Sequence, residues 1–155
     1  MTDVRYDVTP TATDALLESV SGLLRSYNRS KNAAFFTKRE LPEHAARHLH
    51  VFAYDASGQL IGGLIGESAF AWLHIEIVAV SEQSRHKGVG RRLMQLAEDE
   101  GLASGCRYVF LDTMSYQAPD FYQKLGYSVA GRIEDWDSHG HTKIFFTKSL
   151  SQTTP

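Results

Sequence analysis

The run from Trp72 to Val80 restricts the fold of this chain more than any other feature. Alternation along it sets Trp72, His74, Glu76, Val78 and Val80 on one face and Leu73, Ile75, Ile77 and Ala79 on the other. Both faces are largely apolar, which predicts a central strand of a sheet with cover on each side. A turn containing Gly88 and Gly90 follows at once, then a helical stripe of Val89, Leu93, Leu96 and Ala97 ending near Ser104 and Gly105, then a strand from Tyr108 to Leu111. A strand, turn, helix and strand in that order belong to an α/β core. At 155 residues and 43% hydrophobic, the chain suffices for one such domain, expected over residues 1–150 with a frayed tail at 151–155.

The remaining segments supply further elements. Val4 to Val8 alternates as a short strand does. Leu16, Val20, Leu23, Leu24 and Tyr27 recur at helical spacing after Thr11 and Asp14, predicting a helix that lies on the sheet. Asn28 to Arg39 reads as a loop able to form a substrate wall, and Pro42 as the start of a short helix to Leu49. His50 to Tyr54 and Gln59 to Gly66 form a hairpin turned at Gly58. After Pro119 a short helix runs to Leu125, closed by Gly126, and strands near Tyr127 to Ile133 and Thr142 to Thr147 complete the chain.

Chemistry concentrates in the turn after the central strand. Gly88 and Gly90 let backbone N–H groups approach an anion at a helix start, where the dipole also favours negative charge. Arg85, Lys87, Arg91 and Arg92 crowd that same positive end, an unfavourable arrangement unless an anion binds there. The spacing is neither that of a nucleotide-triphosphate loop nor the three-glycine dinucleotide fingerprint, which leaves the pyrophosphate of another cofactor. A glycine turn that only starts a helix on a basic surface is the plainer alternative.

Arg85-His86-Lys87-Gly88-Val89-Gly90 resembles the acetyl-CoA signature of the GNAT acetyltransferase superfamily, and Ala118-Pro119-Asp120-Phe121-Tyr122-Gln123-Lys124-Leu125-Gly126-Tyr127 is similar to that family's second signature. The resemblance covers about Val51 to Leu150. It implies a mixed, mostly antiparallel sheet of six or seven strands, helices on both faces and a V-shaped opening after Val80. It further implies direct transfer of acetyl from acetyl-CoA to a primary amine. Arg85, His86, Lys87, Gly88, Val89, Gly90 and Arg91 would hold the pyrophosphate, and the backbone of Val78 and Val80 the pantetheine arm. Ser115 stands where many members carry Asn, so Ser115 or Gln117 would have to take that role or serve only the loop.

Transfer to an amine of pKa ~10 requires a group that removes its proton. Glu76 is the leading candidate, with a plain ion pair as its alternative; His74 is a second candidate base or a hydrogen-bonded core residue. By motif position Tyr122 would donate to the departing sulfur. Glu40, Glu43, Glu67 and Asp135 are candidate acceptor-pocket acids, and Arg25 to His48 with Asp135 to His141 the segments expected to shape that pocket.

Sixteen Lys plus Arg against eighteen Asp plus Glu, a net charge of -2, give no general pull toward nucleic acid or anionic membrane. No metal is expected from the seven histidines, of which only His139 and His141 are suggestively spaced. Cys106 reads as a buried thiol, and with no leader or apolar span in view the expected setting is the cytoplasm. The expected partner is a small-molecule amine, with a protein amine as the alternative; monomer and homodimer both remain open. An acetyl-CoA-binding sensor without turnover and a small basic-turn nucleic-acid binder are the rival classes.

Overall fold

Strand pairing, more than local propensity, decides which of the expected elements form. A computed structural model describes residues 4–150, apart from the Glu43 side chain. The expected frayed tail and any pocket role of Glu43 therefore lie outside the described residues. The chain divides into two compact units, one up to His44 and one from Ala45 onward.

The first unit is helical. Helix α1 (Asp14–Lys31) is capped by Thr13, whose hydroxyl accepts from Leu16 N, rather than by Thr11. Asp14 in its first turn and Arg29 and Lys31 in its last oppose the helix dipole. Its expected stripe is present, yet no residue of α1 is buried: Leu16, Val20, Leu23, Leu24 and Tyr27 are all exposed. The stretch expected to be a loop instead forms a second helix, α2 (Ala33–Arg39), because Asn32 restarts the helix by accepting from Phe35 N. Only one 3-10 turn, Pro42–His44, follows. Val4 to Val8 adopts no regular structure, since alternation alone makes no strand without a partner edge.

The second unit holds six strands: β1 (Arg47–Tyr54), β2 (Leu60–Ala69), β3 (Trp72–Val80), β4 (Tyr108–Met114), β5 (Ser128–Ile133) and β6 (Lys143–Ser149). Their order is β1-β2-β3-β4-β6-β5, and only β3 and β4 run parallel, so the sheet is mixed and mostly antiparallel as expected. The expected helix to Leu49 gives way to β1, which begins at Arg47 because Leu49 reaches the core. Helix α3 (Val89–Ala103) connects β3 to β4 and packs on β1, β2 and β3. Leu93, Met94 and Ala97 of α3 meet Leu64, Leu73, Ile75, Val109, Leu111 and Phe146 there. Full burial of a leucine such as Leu64 contributes about 1.5–3 kcal/mol. Cys106 is free and buried in this core, and burial pushes its thiol up, as an inert thiol requires. No helix among the described residues is long and apolar enough to cross a membrane.

A β-bulge interrupts β3. Ile75 pairs with Gly66 and Ile77 with Ile65, leaving Glu76 as the extra residue. The bulge needs Gly66, because a Cβ there would collide with the carbonyl oxygen of His74. It also corrects the expected alternation. Leu73 and Ile75 point into the core before it, and Val78 and Val80 pack on the core after it, while Ile77 turns outward and is exposed. Glu76 therefore does not share a face with Val78 and Val80.

Candidate active site

The parallel ladder between β3 and β4 is short, running only from Trp72 opposite Tyr108 to Ile75 opposite Leu111. Beyond that point β3 stays bonded to β2 and β4 to β6, and the two strands part. The opening therefore starts after Ile75, at the bulge, and not after Val80. It holds a cleft of about 1070 Å³ walled by Ile75 to Val80 on one side and Leu111 to Thr113 on the other. Helix α4 (Pro119–Lys124), entered through Pro119, closes it with Phe121, Tyr122 and Lys124. Past Ile75 the β3 backbone lacks a β4 partner, so its open edge offers N–H and C=O groups to an extended polar ligand. The Val80 carbonyl on that edge already accepts from Arg85 Nε at 3.3 Å.

The start of α3 forms one end of the cleft. Its N-cap is Gly88, at φ 83, and no side chain caps the helix. A left-handed residue at that position suits glycine, and His86 two residues earlier is also left-handed at φ 60. The first turn holds no acid and carries Arg91 and Arg92. The uncapped helix start, its dipole and the cations together suit an anion. Ser84, Arg85, His86, Gly88, Val89, Gly90 and Arg91 line the cleft here; Lys87 does not. At Gly90 a Cβ would rest 3.4 Å from Phe121 Cζ and 3.7 Å from Val80 Cγ2, an ordinary contact, so anything longer would enter the cleft.

Tyr122 also lines the cleft, with its ring against Phe121, Tyr127 and Phe146 at centroid distances of 5.1, 6.0 and 5.8 Å. Burial, and then the Asp112 carboxylate, push its phenol above the ordinary tyrosine value. Tyr127, by contrast, is structural. Its hydroxyl donates to Glu98 Oε1 at 2.9 Å, Lys148 holds Glu98 Oε2 at 2.5 Å, and burial drives the phenol far up.

Glu76 stands at the bulge in the cleft wall, 4.0 Å from His74 Nδ1, and His74 stacks flat on Phe110 at 4.3 Å. Glu67, His74 and Glu76 offer ligating atoms that all lie within 4.8 Å of one another. In the sequence Glu67 is one of several isolated acids, because cross-strand register is not written in local spacing. Asp112, not among the residues expected at the site, lines the cleft and pairs with Lys143 at 2.9 Å. An acid in the second half of a strand read only to Leu111 was the available signal.

Other expected residues fall elsewhere. Ser115 does not line the cleft; its hydroxyl accepts from Thr142 N at 3.1 Å and ties the loop to the residue before the last strand. Gln117 does line it, and its amide oxygen accepts from Thr113 Oγ1 and Met114 N, each at 2.8 Å. Glu40 pairs with Arg29 at 2.7 Å in the first unit. Asp135 accepts from Gly140 N at 2.6 Å, and Asp137 holds His141 Nδ1 at 2.6 Å, so the second histidine of the His139 and His141 pair is engaged within its loop.

A family model described as Acetyltransferase (GNAT) family matches residues 17–127, a span that includes the splay, the glycine turn and Tyr122. The chain belongs to the GNAT acetyltransferase family. Its curated relatives include the blasticidin-S acetyltransferase of Streptomyces morookaense, 36% identical over 131 residues that cover 82% of this chain and 96% of that protein. An acetyltransferase from Bacillus cereus shares the GNAT fold at a TM-score of 0.74 and 31% identity, over 93% of this chain and 98% of that one. An aminoglycoside 6'-N-acetyltransferase solved with coenzyme A shares it at 0.62 and 18% identity, over 92% and 95%.

Proposed function

We propose that this GNAT protein moves the acetyl group of acetyl-CoA directly onto a primary amine of a small molecule. The observation that carries the reading is the convergence of three features in one cleft: a splayed strand edge, an uncapped and basic helix start, and Tyr122. The residues suit acetyl-CoA, since the helix start takes a pyrophosphate and the open β3 edge an amide-bearing arm. The co-substrate supplies the activated acyl group as a thioester. Arg85, Arg91 and the N–H groups of Val89, Gly90 and Arg91 bind its phosphates, and Glu76 accepts the proton of the attacking amine at a carboxylate oxygen. The Tyr122 hydroxyl donates to the departing sulfur. Since a phenol raised above ~10 is a weaker acid than a thiol of pKa ~8.5, it acts chiefly by hydrogen bonding, its proton moving late if at all.

A small-molecule acceptor is supported by the blasticidin-S acetyltransferase, which matches over nearly its full length. The family match crosses from the first unit into the second, which supports residues 1–150 acting as one domain. The test is an amine library scored by release of free CoA, run beside thermal melts with and without acetyl-CoA. Turnover with at least one small amine is expected, together with stabilisation by acetyl-CoA that folded Gly90→Glu loses, because the new carboxylate enters the anion site. Stabilisation without turnover on any amine would point to a sensor instead. No stabilisation of the wild type would end the cofactor assignment.

A further inference from the structure

Antiparallel register places Glu67 of β2 directly opposite His74 of β3, and the bulge residue Glu76 follows two positions later. His74 stacks on Phe110 at 4.3 Å, and one of its ring nitrogens lies within 4.8 Å of an oxygen of each carboxylate. Other acids packed on or in the sheet have cations: Asp112 of β4 has Lys143, and Glu98 of α3 has Lys148. Among the described residues no Lys or Arg pairs with Glu67 or Glu76, and the nearest ionic neighbour of Glu76 is His74. Two carboxylates at this separation repel, and a cationic ligand relieves the repulsion. Removal of one proton from one attacking amine needs only one of them, so the second is surplus to the transfer chemistry.

We infer that Glu67, which lies outside the cleft lining but has a carboxylate oxygen within 4.8 Å of one on Glu76, is a specificity-determining residue that binds a second cationic group on the acceptor while Glu76 faces the amine to be acetylated. The inference rests on the acetyltransferase reading of the cleft and names its substrate class: amines that carry another ammonium or guanidinium nearby. Carboxylate atoms within 4.8 Å, each about 3 Å from its nitrogen, keep the two cationic nitrogens no more than about 11 Å apart. Diamines with up to about six methylenes fit within that limit.

The test compares 1,4-diaminobutane with butylamine as acceptors at saturating acetyl-CoA, for the wild type, Glu67→Gln and Glu67→Asp. The wild type should favour the diamine in kcat/KM by about 5- to 20-fold, a range set between exposed and desolvated ion pairs. In Glu67→Gln that preference should fall toward one through a higher diamine KM, not a lower kcat, and Glu67→Asp should restore part of it. Lack of preference in the wild type, or equal losses on both amines in a variant whose melt is unchanged, would overturn the inference. Calorimetric titration of both amines into the CoA-saturated protein separates this from the acetylation reading. Diamine binding that requires Glu67 without any turnover would retain the recognition site and reject the enzyme. Zinc binding that requires Glu67, with no diamine binding, would make the cluster a metal site and overturn the inference.

Discussion

The two halves of β3 differ in kind although they are continuous in sequence. From Trp72 to Ile75 the strand is bonded on both edges, and Leu73 and Ile75 are buried. From Glu76 to Val80 it is bonded on one edge only and forms a cleft wall. One bulged residue separates them. The lesson is that a sheet can give up a few ladder bonds at one point and open a cleft there, provided the adjoining half is anchored firmly enough to hold the opening in place.

Substitutions in the two halves and around them should part accordingly. The largest effect is expected across the cleft from the open half, where Tyr122→Phe keeps the packed ring but removes the donor. Its kcat should fall about 10²- to 10⁴-fold while acetyl-CoA affinity holds, and an unchanged kcat in a folded variant would reduce Tyr122 to packing.

In the closed half, Leu73→Ala should cost about 2–5 kcal/mol of stability, since Leu73 is fully buried and lies 3.0 Å from where a Cβ on Gly101 would sit. Denaturant melts measure it. A loss below 1 kcal/mol would mean the anchored half is looser than its burial indicates.

At the joint, Gly66→Ala forces a Cβ against the His74 carbonyl and should cost about 1–3 kcal/mol, with a fall in kcat beyond that explained by unfolding. Normal activity in a merely destabilised variant would uncouple the bulge from the cleft.

Glu76→Gln should lower turnover about tenfold near neutral pH, where an amine of pKa ~10 is almost all protonated, and progressively less as pH rises toward that value. A pH-rate profile with a uniform loss would assign Glu76 to positioning, and no loss would move the proton to His74 or water. The smallest effect should come from Lys87→Ala, outside the cleft, with acetyl-CoA affinity changed by less than about threefold. A larger loss would bring Lys87 back to the anion site.

Legibility in the sequence followed the range of the interactions involved. The extent of β3, the helix after Gly88 and the basic, glycine-bearing character of that turn could be read directly, because alternation, helical spacing and a crowd of cations at a helix start are local properties. Helix α2 was missed, although its cap at Asn32 is also local, because Phe35 and Phe36 make no periodic stripe. The reversal of faces at Glu76 could not be read, since a bulge is a mismatch between two strands and Gly66, which permits it, sits on the partner.

The sequence by itself determined an α/β chain with a glycine-bearing, basic turn at a helix start and a tyrosine in the family's second motif, for each depends on residues within a few positions of one another. Only the tertiary structure decided that the opening begins at Ile75, that Ser115 bonds to Thr142 just before the last strand and Lys87 lies outside the cleft, and that Glu67 meets His74 and Glu76. Each of those depends on register between strands, which is set by which hydrophobic faces pack together over the whole sheet and not by any single segment.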